Sequence, residues 1–167
     1  MFDFKPEAVA DPQELYRQLV NAADALTQDE PDGVANMANV ASLLWEFLPD
    51  LNWAGFYRVG PAKKGEAKKE LVLGPFIGRP ACIRIPLGAG VCGAAAASGE
   101  TQLVADVHAF PGHIACDAAS QSELVVPVRR AGEVIAVIDL DSPRTHRFTD
   151  ADAAGIEALA ALLSDRI

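Results

Sequence analysis

The chain has 167 residues and a formal net charge of −9, and half of its residues are hydrophobic. This length suits one ordinary domain with a hydrophobic core, and the composition shows no mark of disorder. The surplus of acidic groups leaves no basic face to neutralise phosphates, which argues against nucleic acid or an anionic membrane as a partner.

The N-terminal segment and the cysteine usage both indicate a reducing compartment. Residues Met1–Glu7 contain no cationic stretch followed by an apolar one, so we do not expect a signal peptide. No apolar run approaches the roughly 18 residues of a membrane helix. The three cysteines are Cys82, Cys92 and Cys116. An odd number without an export signal predicts reactive or buried thiols rather than a disulfide framework, and we expect a cytoplasmic protein.

The first part of the chain predicts two helices. Asp11-Pro12 provides a capping carboxylate and a proline at the first helical position. A second helix begins near Pro31-Asp32 and ends at Pro49-Asp50. The apolar residues of both helices recur at helical spacing, which predicts one buried face on each. They are Leu15, Leu19, Ala22, Ala23 and Leu26 in the first helix, and Val34, Met37, Ala38, Ala41, Leu44 and Leu48 in the second.

Strands follow the two helices. Asn52–Val59 is rich in aromatic and β-preferring residues, and Glu70–Ile77 returns after the polar connection Lys63–Lys69. Ala81–Ile85 alternates in a way that predicts a further short strand, with Cys82 and Arg84 on one face.

A glycine-rich segment, Gly88–Ala97, comes next. It invites comparison with a phosphate-binding loop, but no Lys-Ser/Thr follows and the dinucleotide fingerprint does not fit. The glycines that lead into an alanine run instead predict a short helix packed tightly against the sheet.

The segment His108–Asp117 combines a cysteine, two histidines, a Pro-Gly turn and a carboxylate. It follows the extended stretch Thr101–Val107 and is predicted to be a loop, where binding and catalytic groups tend to lie. A Pro-Gly turn needs neither histidine nor cysteine for its geometry. Two interpretations stay open from these residues: a functional loop, or a surface loop with a buried, inert cysteine. The third histidine, His146, is expected at the surface.

The C-terminal part predicts a hairpin and a last helix. Ser122–Val128 and Val134–Leu140 are strands joined around Arg130–Gly132. Thr149 caps the helix, with Asp152 as its capping-box partner. The sequence therefore predicts an α+β fold in one domain over residues 1–167. A central antiparallel sheet packs against two N-terminal helices and one C-terminal helix.

The cysteines could also form a metal site. Cys82, Cys92, Cys116 and His113 could supply four zinc ligands, but the spacing contains no close Cys-x-x-Cys pair and matches no common zinc module. We expect neither a metal site nor a bound cofactor.

Taken together, several segments resemble those of one known family. They are Asn52–Tyr57, Leu73–Phe76, Pro80–Cys82, Arg84–Pro86, Gly90–Gly93, His108–Asp117 and Asp139–Pro143. The chain resembles the free methionine-(R)-sulfoxide reductases, single-domain enzymes built on the GAF fold, over nearly its whole length. A GAF fold alone would say little about function, because it serves many sensors.

The resemblance implies a thiol-based reduction of free methionine-(R)-sulfoxide. Cys116 would attack the sulfoxide sulfur and become a sulfenic acid as methionine leaves. Cys82 would then condense with it to a disulfide, with Cys92 as an alternative or second resolving thiol. Thioredoxin would restore the dithiol by exchange.

The resemblance also implies a substrate pocket. Glu123, Asp139 and Asp141 match the acidic positions of the family and would hold the substrate ammonium or give a proton to its oxygen. Trp53 and Tyr57 would wall the thioether end. From the residues alone, the two aspartates could instead solvate the end of a strand, and Trp53 could belong to the core.

Two other functions stay open: a ligand-sensing GAF module and a thiol redox sensor without turnover. Repeated consumption of methionine sulfoxide with a dithiol reductant separates the enzyme from both. Because GAF domains often pair, a homodimer is expected.

Overall fold

A computed structural model describes residues 4–7, 11–63, 69–112 and 118–167. These residues form a six-stranded sheet and four α-helices. The helices are α1 (Pro12–Thr27), α2 (Gly33–Phe47), α3 (Gly90–Ser98) and α4 (Asp150–Leu163). The strands are β1 (Trp53–Pro61), β2 (Lys69–Gly78), β3 (Arg84–Pro86), β4 (Gln102–Val104), β5 (Ser122–Arg130) and β6 (Glu133–Ser142).

Local capping explains where three of the helices begin. The Asp11 carboxylate accepts the Gln13 N–H at 2.9 Å before α1, and Asp32 caps α2 in the same way. At α4, Thr149 and Asp152 form a reciprocal capping box. The predicted starts of these helices are confirmed.

The sheet order is β3-β2-β1-β6-β5-β4, and every neighbouring pair is antiparallel. Alternate side chains therefore point to opposite faces. One face packs against α1, α2 and α4 in the larger hydrophobic core, while α3 covers the other face with a smaller core. The α+β architecture predicted from the sequence is confirmed.

Two predicted strands were wrong in extent. The strand predicted at Ala81–Ile85 covers only Arg84–Pro86, so Cys82 and Arg84 do not share a strand face. The segment before β3 contains Pro80, which cannot donate to a strand ladder. Pro80 and Ala81 line a pocket beside Trp53 and Tyr57 instead.

The extended stretch predicted at Thr101–Val107 shortens to Gln102–Val104. The Asp106 carboxylate accepts the His108 N–H at 2.9 Å and caps a single 3-10 turn that ends the extended backbone. Among the described residues, no helix is both long enough and apolar enough to cross a membrane.

Candidate functional site

Strand register brings the predicted acidic residues to one face of the sheet. β1 pairs with β6 so that Trp53 lies opposite Asp141 and Gly55 opposite Asp139. β5 pairs with β6 so that Glu123 lies on the other side of Asp141. Because residues two apart share a face, Trp53 and the three carboxyl groups all lie on the face that α3 covers.

An aromatic stack forms one wall of this site. The Trp53 ring stacks on Phe76 with a centroid distance of 5.1 Å and on Tyr57 with one of 5.8 Å. The Trp53 indole N–H donates to the Arg79 backbone carbonyl at 3.2 Å, which fixes the ring. Trp53 and Tyr57 are almost fully buried and also border a pocket, so the core role and the site role coincide.

The pocket beside this wall is small. Its volume is about 10 Å³, roughly the room of one water molecule. The lining residues are Trp53, Tyr57, Arg79, Pro80, Ala81, Asp139 and Asp141.

A buried cluster forms the inner end of the site. Cys92 on α3 points its thiol at Glu123, with an Sγ to Oε1 distance of 3.9 Å. One ligand atom from each of Cys92, Glu123 and Asp139 lies within 4.8 Å of the others. The Asp139 Oδ1 atom is buried and has no hydrogen-bond partner in the described part of the chain. A buried acceptor without a partner is costly and points to a missing donor or cation.

Burial shifts the titration of this cluster. It raises the pKa of Asp139 from 3.8 to about 7, against the opposing effect of the neighbouring Cys92 and Glu123 side chains. Burial, followed by the charges of Asp139 and Asp141, raises the pKa of Glu123 well above its usual value. The pKa of the Cys92 thiol is also raised, mainly by burial. At neutral pH the cluster therefore carries less negative charge than its formal count.

The three cysteines have different surroundings. Cys82 is half-buried and takes part in a disulfide bond, whereas Cys92 is a buried free thiol. Cys116 lies outside the described residues, together with His113 and the rest of the second half of the predicted loop. Of the four possible zinc ligands considered from the sequence, Cys116 and His113 therefore lie outside the described residues.

The other two histidines are exposed. His108 lies in the 3-10 turn, and His146 is at the surface as predicted.

Sequence reasoning missed three residues of the site. Phe76 completes the aromatic wall, Gly55 lies opposite it, and Arg79 lines the pocket. The signal was present for Phe76 and Gly55, since both lie in the segments that carry the family resemblance. The hint for Arg79 was chemical: a free amino acid has a carboxylate, and a cationic side chain is needed to bind it.

Comparisons with known proteins agree with this geometry. A sequence model described as the GAF domain matches residues 9–167. Free methionine-R-sulfoxide reductase from Escherichia coli is 47% identical over 150 residues, which span 90% of this chain and 87% of the relative. Protein YtsP from Bacillus subtilis is 52% identical over 142 residues, which span 85% and 84%.

A solved structure shows the same fold with a substrate in place. Free methionine-R-sulfoxide reductase from Neisseria meningitidis, in complex with its substrate, superposes with a TM-score of 0.91 at 43% identity. The match covers 99% of this chain and 95% of that one. The chain therefore belongs to the GAF domain family, in the branch whose named relatives include the free methionine-R-sulfoxide reductases.

Proposed function

We propose that this protein is an enzyme that reduces free methionine-(R)-sulfoxide to methionine. The observation that carries the proposal is a carboxyl cluster beside an aromatic wall, in which Glu123 and Asp139 are buried and Asp141 is half-buried. This combination offers an acceptor for an ammonium group, a proton donor and an apolar wall in one small pocket. Strong identity to relatives that are named for this activity supports the assignment.

Each part of a free amino acid sulfoxide has a matching group. The carboxylate of Asp141 accepts the ammonium by charge-assisted hydrogen bonds. Arg79, which lines the same pocket, provides a cation for the carboxylate. The Trp53 and Tyr57 rings contact the methyl-thioether end, where sulfur against an aromatic ring contributes on the order of 1 kcal/mol. A methionine sulfoxide within a protein chain has neither free terminus to offer.

The first chemical step transfers oxygen to a thiol. The Cys116 thiolate attacks the sulfoxide sulfur, and Asp139 or Glu123 gives a proton to the sulfoxide oxygen. The oxygen leaves on Cys116 as a sulfenic acid, and the substrate is reduced by two electrons to methionine. Because burial keeps part of the carboxyl cluster protonated, the thiolate meets less repulsion than the formal charges suggest.

The second step removes the oxygen as water. The Cys82 thiol condenses with the sulfenic acid and forms a disulfide, which the dithiol of thioredoxin then reduces by exchange. Cys82 suits the resolving role better than Cys92, because Cys82 is already disulfide-bonded while Cys92 is a buried thiol with a raised pKa. We place this cycle in the cytoplasm, where thioredoxin keeps catalytic disulfides transient.

A homodimer belongs to the same proposal. A groove between α1 and α4 is lined largely by small and apolar side chains, which supports pairing on that face. Its lining includes Tyr16, Val20, Ala151, Ala154, Gly155 and Ala158.

The direct test is methionine released from free L-methionine-(R)-sulfoxide, with dithiothreitol as reductant. The free (S) epimer and a peptide-bound sulfoxide are assayed beside it. Many turnovers with the free (R) form alone are expected. Absence of turnover with all three substrates would reject the enzyme and favour a GAF ligand sensor.

Serine variants test the assignment of the thiols. Cys116→Ser is expected to abolish turnover, because the nucleophile is gone. Cys82→Ser is expected to release about one equivalent of methionine per protein and then stop with thioredoxin as the reductant, since the sulfenic acid has no resolving partner. Both are measured as methionine per protein in single- and multiple-turnover assays. Equal steady-state rates for Cys82→Ser and the unchanged protein would move the resolving role to Cys92.

A further inference from the structure

The inner end of the pocket brings together three donors of different chemistry. Cys92 lies on α3, Glu123 on β5 and Asp139 on β6, so three separate elements converge on one point. All three side chains are buried, and a ligand atom from each lies within 4.8 Å of the others. A thiol and two carboxyl groups are not needed to hold these elements together, since hydrophobic residues surround them.

The distances are close to those of a metal site. Zn–S bonds of about 2.3 Å and Zn–O bonds of about 2.1 Å place two tetrahedral ligands about 3.6 Å apart. The Cys92 Sγ and the Glu123 Oε1 are 3.9 Å apart, so this pair needs to move by only a few tenths of an ångström. Closing the whole set from within 4.8 Å requires a change in any ligand–ligand distance of about 1.4 Å at most.

A second observation, made on one member of the cluster, also points to a cation. The Asp139 Oδ1 atom is buried within the described residues and accepts no hydrogen bond there. A bound cation would supply the partner that this oxygen lacks. One thiolate and two carboxylates form a mixed sulfur and oxygen set, which suits a borderline-soft ion such as Zn²⁺ and not the all-oxygen preference of Mg²⁺ or Ca²⁺.

We propose that Cys92, Glu123 and Asp139 form a three-ligand site for a divalent cation of the zinc type. The fourth position faces the pocket, because Asp139 lines both the pocket and the cluster. A bound ion therefore competes with a small molecule in the pocket. The site itself rests on the donor geometry, and only the competition rests on the proposed function.

Cadmium provides a direct readout, because a cadmium–thiolate bond has its own ultraviolet charge-transfer band. The protein for this test carries Cys82→Ser and Cys116→Ser, so that Cys92 is its last thiol among the three cysteines of the chain. We expect one equivalent of Cd²⁺ to bind with this band, and Zn²⁺ to displace it. Adding Cys92→Ser to the same protein is expected to abolish the band.

The carboxylates are tested by a matched set. Asp139→Asn and Glu123→Gln are each expected to weaken Cd²⁺ binding by at least about tenfold, since even outer-shell changes have effects of that size. Asp141→Asn removes the same charge from the same strand and face but lies outside the three-donor set, and it is expected to change affinity by less than about threefold. Circular dichroism melts verify that each variant is folded, and Glu123→Gln carries the test if Asp139→Asn does not fold.

Equal binding by the Asp139, Glu123 and Asp141 variants would overturn the site, as would absence of the band in a folded protein. Addition of free methionine-(R)-sulfoxide to the cadmium-loaded protein is expected to reduce the band. A band that persists at saturating sulfoxide would reject the competition and leave the three-donor site standing.

Discussion

Asp139 is the residue on which the chemistry of the pocket depends most. It lies in the central strand β6, is only 5% exposed, and has one oxygen without a partner among the described residues. Burial brings its pKa to about 7, where both protonation states are populated at neutral pH. A carboxyl group poised in this way can give a proton to a sulfoxide oxygen.

Asp139→Asn tests this proton transfer directly. The amide has nearly the same shape but cannot deliver a proton, and we expect kcat to fall by roughly 10²–10⁴-fold. In the unchanged protein kcat is expected to decline as pH rises through about 7, because the protonated donor is lost. That decline should vanish in Asp139→Asn.

The measurement is kcat from about pH 5.5 to about pH 9 with dithiothreitol as reductant, a range that brackets the carboxyl pKa. Asp141→Asn is the control on the same strand and should keep the decline. The same decline in Asp139→Asn would assign it to another group, with Glu123 the next candidate.

The sequence predicts part of this picture at the residue scale. Two positions separate Asp139 from Asp141, so strand alternation places them on one face, and the register confirms it. The raised pKa of Asp139 could not be predicted in the same way. It depends on burial under α3 and on the neighbouring Glu123 of β5, and neither contact is local in the chain.

At the scale of elements, Gly55 of β1 determines how closely β2 packs beside the pocket. The β1–β2 register shifts between Gly55 and Tyr57, and Gly55 faces Phe76 across the strand pair. A Cβ atom at Gly55 would lie 2.3 Å from the Phe76 Cβ and 2.7 Å from the backbone of Pro75 and Phe76. The absence of a side chain therefore allows β2 to approach and the Phe76 ring to stack on Trp53.

Gly55→Ala is expected to destabilise the protein by about 1–3 kcal/mol, the usual cost of forcing a methyl group into a packed site. It should also raise KM several-fold, because the displaced Phe76 moves the aromatic wall. Urea unfolding and steady-state kinetics measure the two effects.

Gly60→Ala on the same strand is the matched control for Gly55→Ala. Its added methyl meets only the Val72 Cγ2 atom at 3.1 Å, the end of a side chain that can adjust. A change in KM as large in Gly60→Ala as in Gly55→Ala would show that the effect does not pass through Phe76.

Elements whose signals are local were predicted well, and those set by distant partners were not. The beginnings of α1, α2 and α4 follow from capping residues within a few positions. The hairpin between β5 and β6 turns at Ala131-Gly132, within the predicted connection Arg130–Gly132. Both turn residues have positive φ. The start of β3 depends instead on pairing with β2, and so its predicted beginning was wrong.

At the scale of the whole molecule, the two faces of the sheet contribute differently to stability and to the pocket. The face under α1, α2 and α4 carries a large apolar core that stabilises the fold. The face under α3 carries a smaller core into which ionisable groups are built. Burying carboxyl groups there opposes folding whenever they are charged, so the pocket is maintained by stability generated on the opposite face.

This division predicts how stability depends on pH. The Asp139 carboxyl has a pKa near 3.8 in the unfolded chain and about 7 in the folded protein. Between these values the folded protein binds a proton that the unfolded chain has released. The free energy of unfolding therefore falls as pH rises from about 4 to about 7, and this contribution is constant above that range. At about 1.4 kcal/mol per pKa unit, the largest effect is about 4 kcal/mol.

Asp139→Asn removes this linkage and also lowers the pKa of Glu123, because the Asp139 charge helps to raise it. We expect the unchanged protein to lose about 1–4 kcal/mol more than Asp139→Asn between about pH 4.5 and about pH 7.5. Urea unfolding of both proteins at the two pH values measures the difference, from which the ionisable groups that Asp139 does not influence cancel. Asp141→Asn, which retains the buried pair, should follow the unchanged protein. Parallel losses in all three proteins would mean that Asp139 is ionised throughout this range, and that the pocket holds a fixed negative charge.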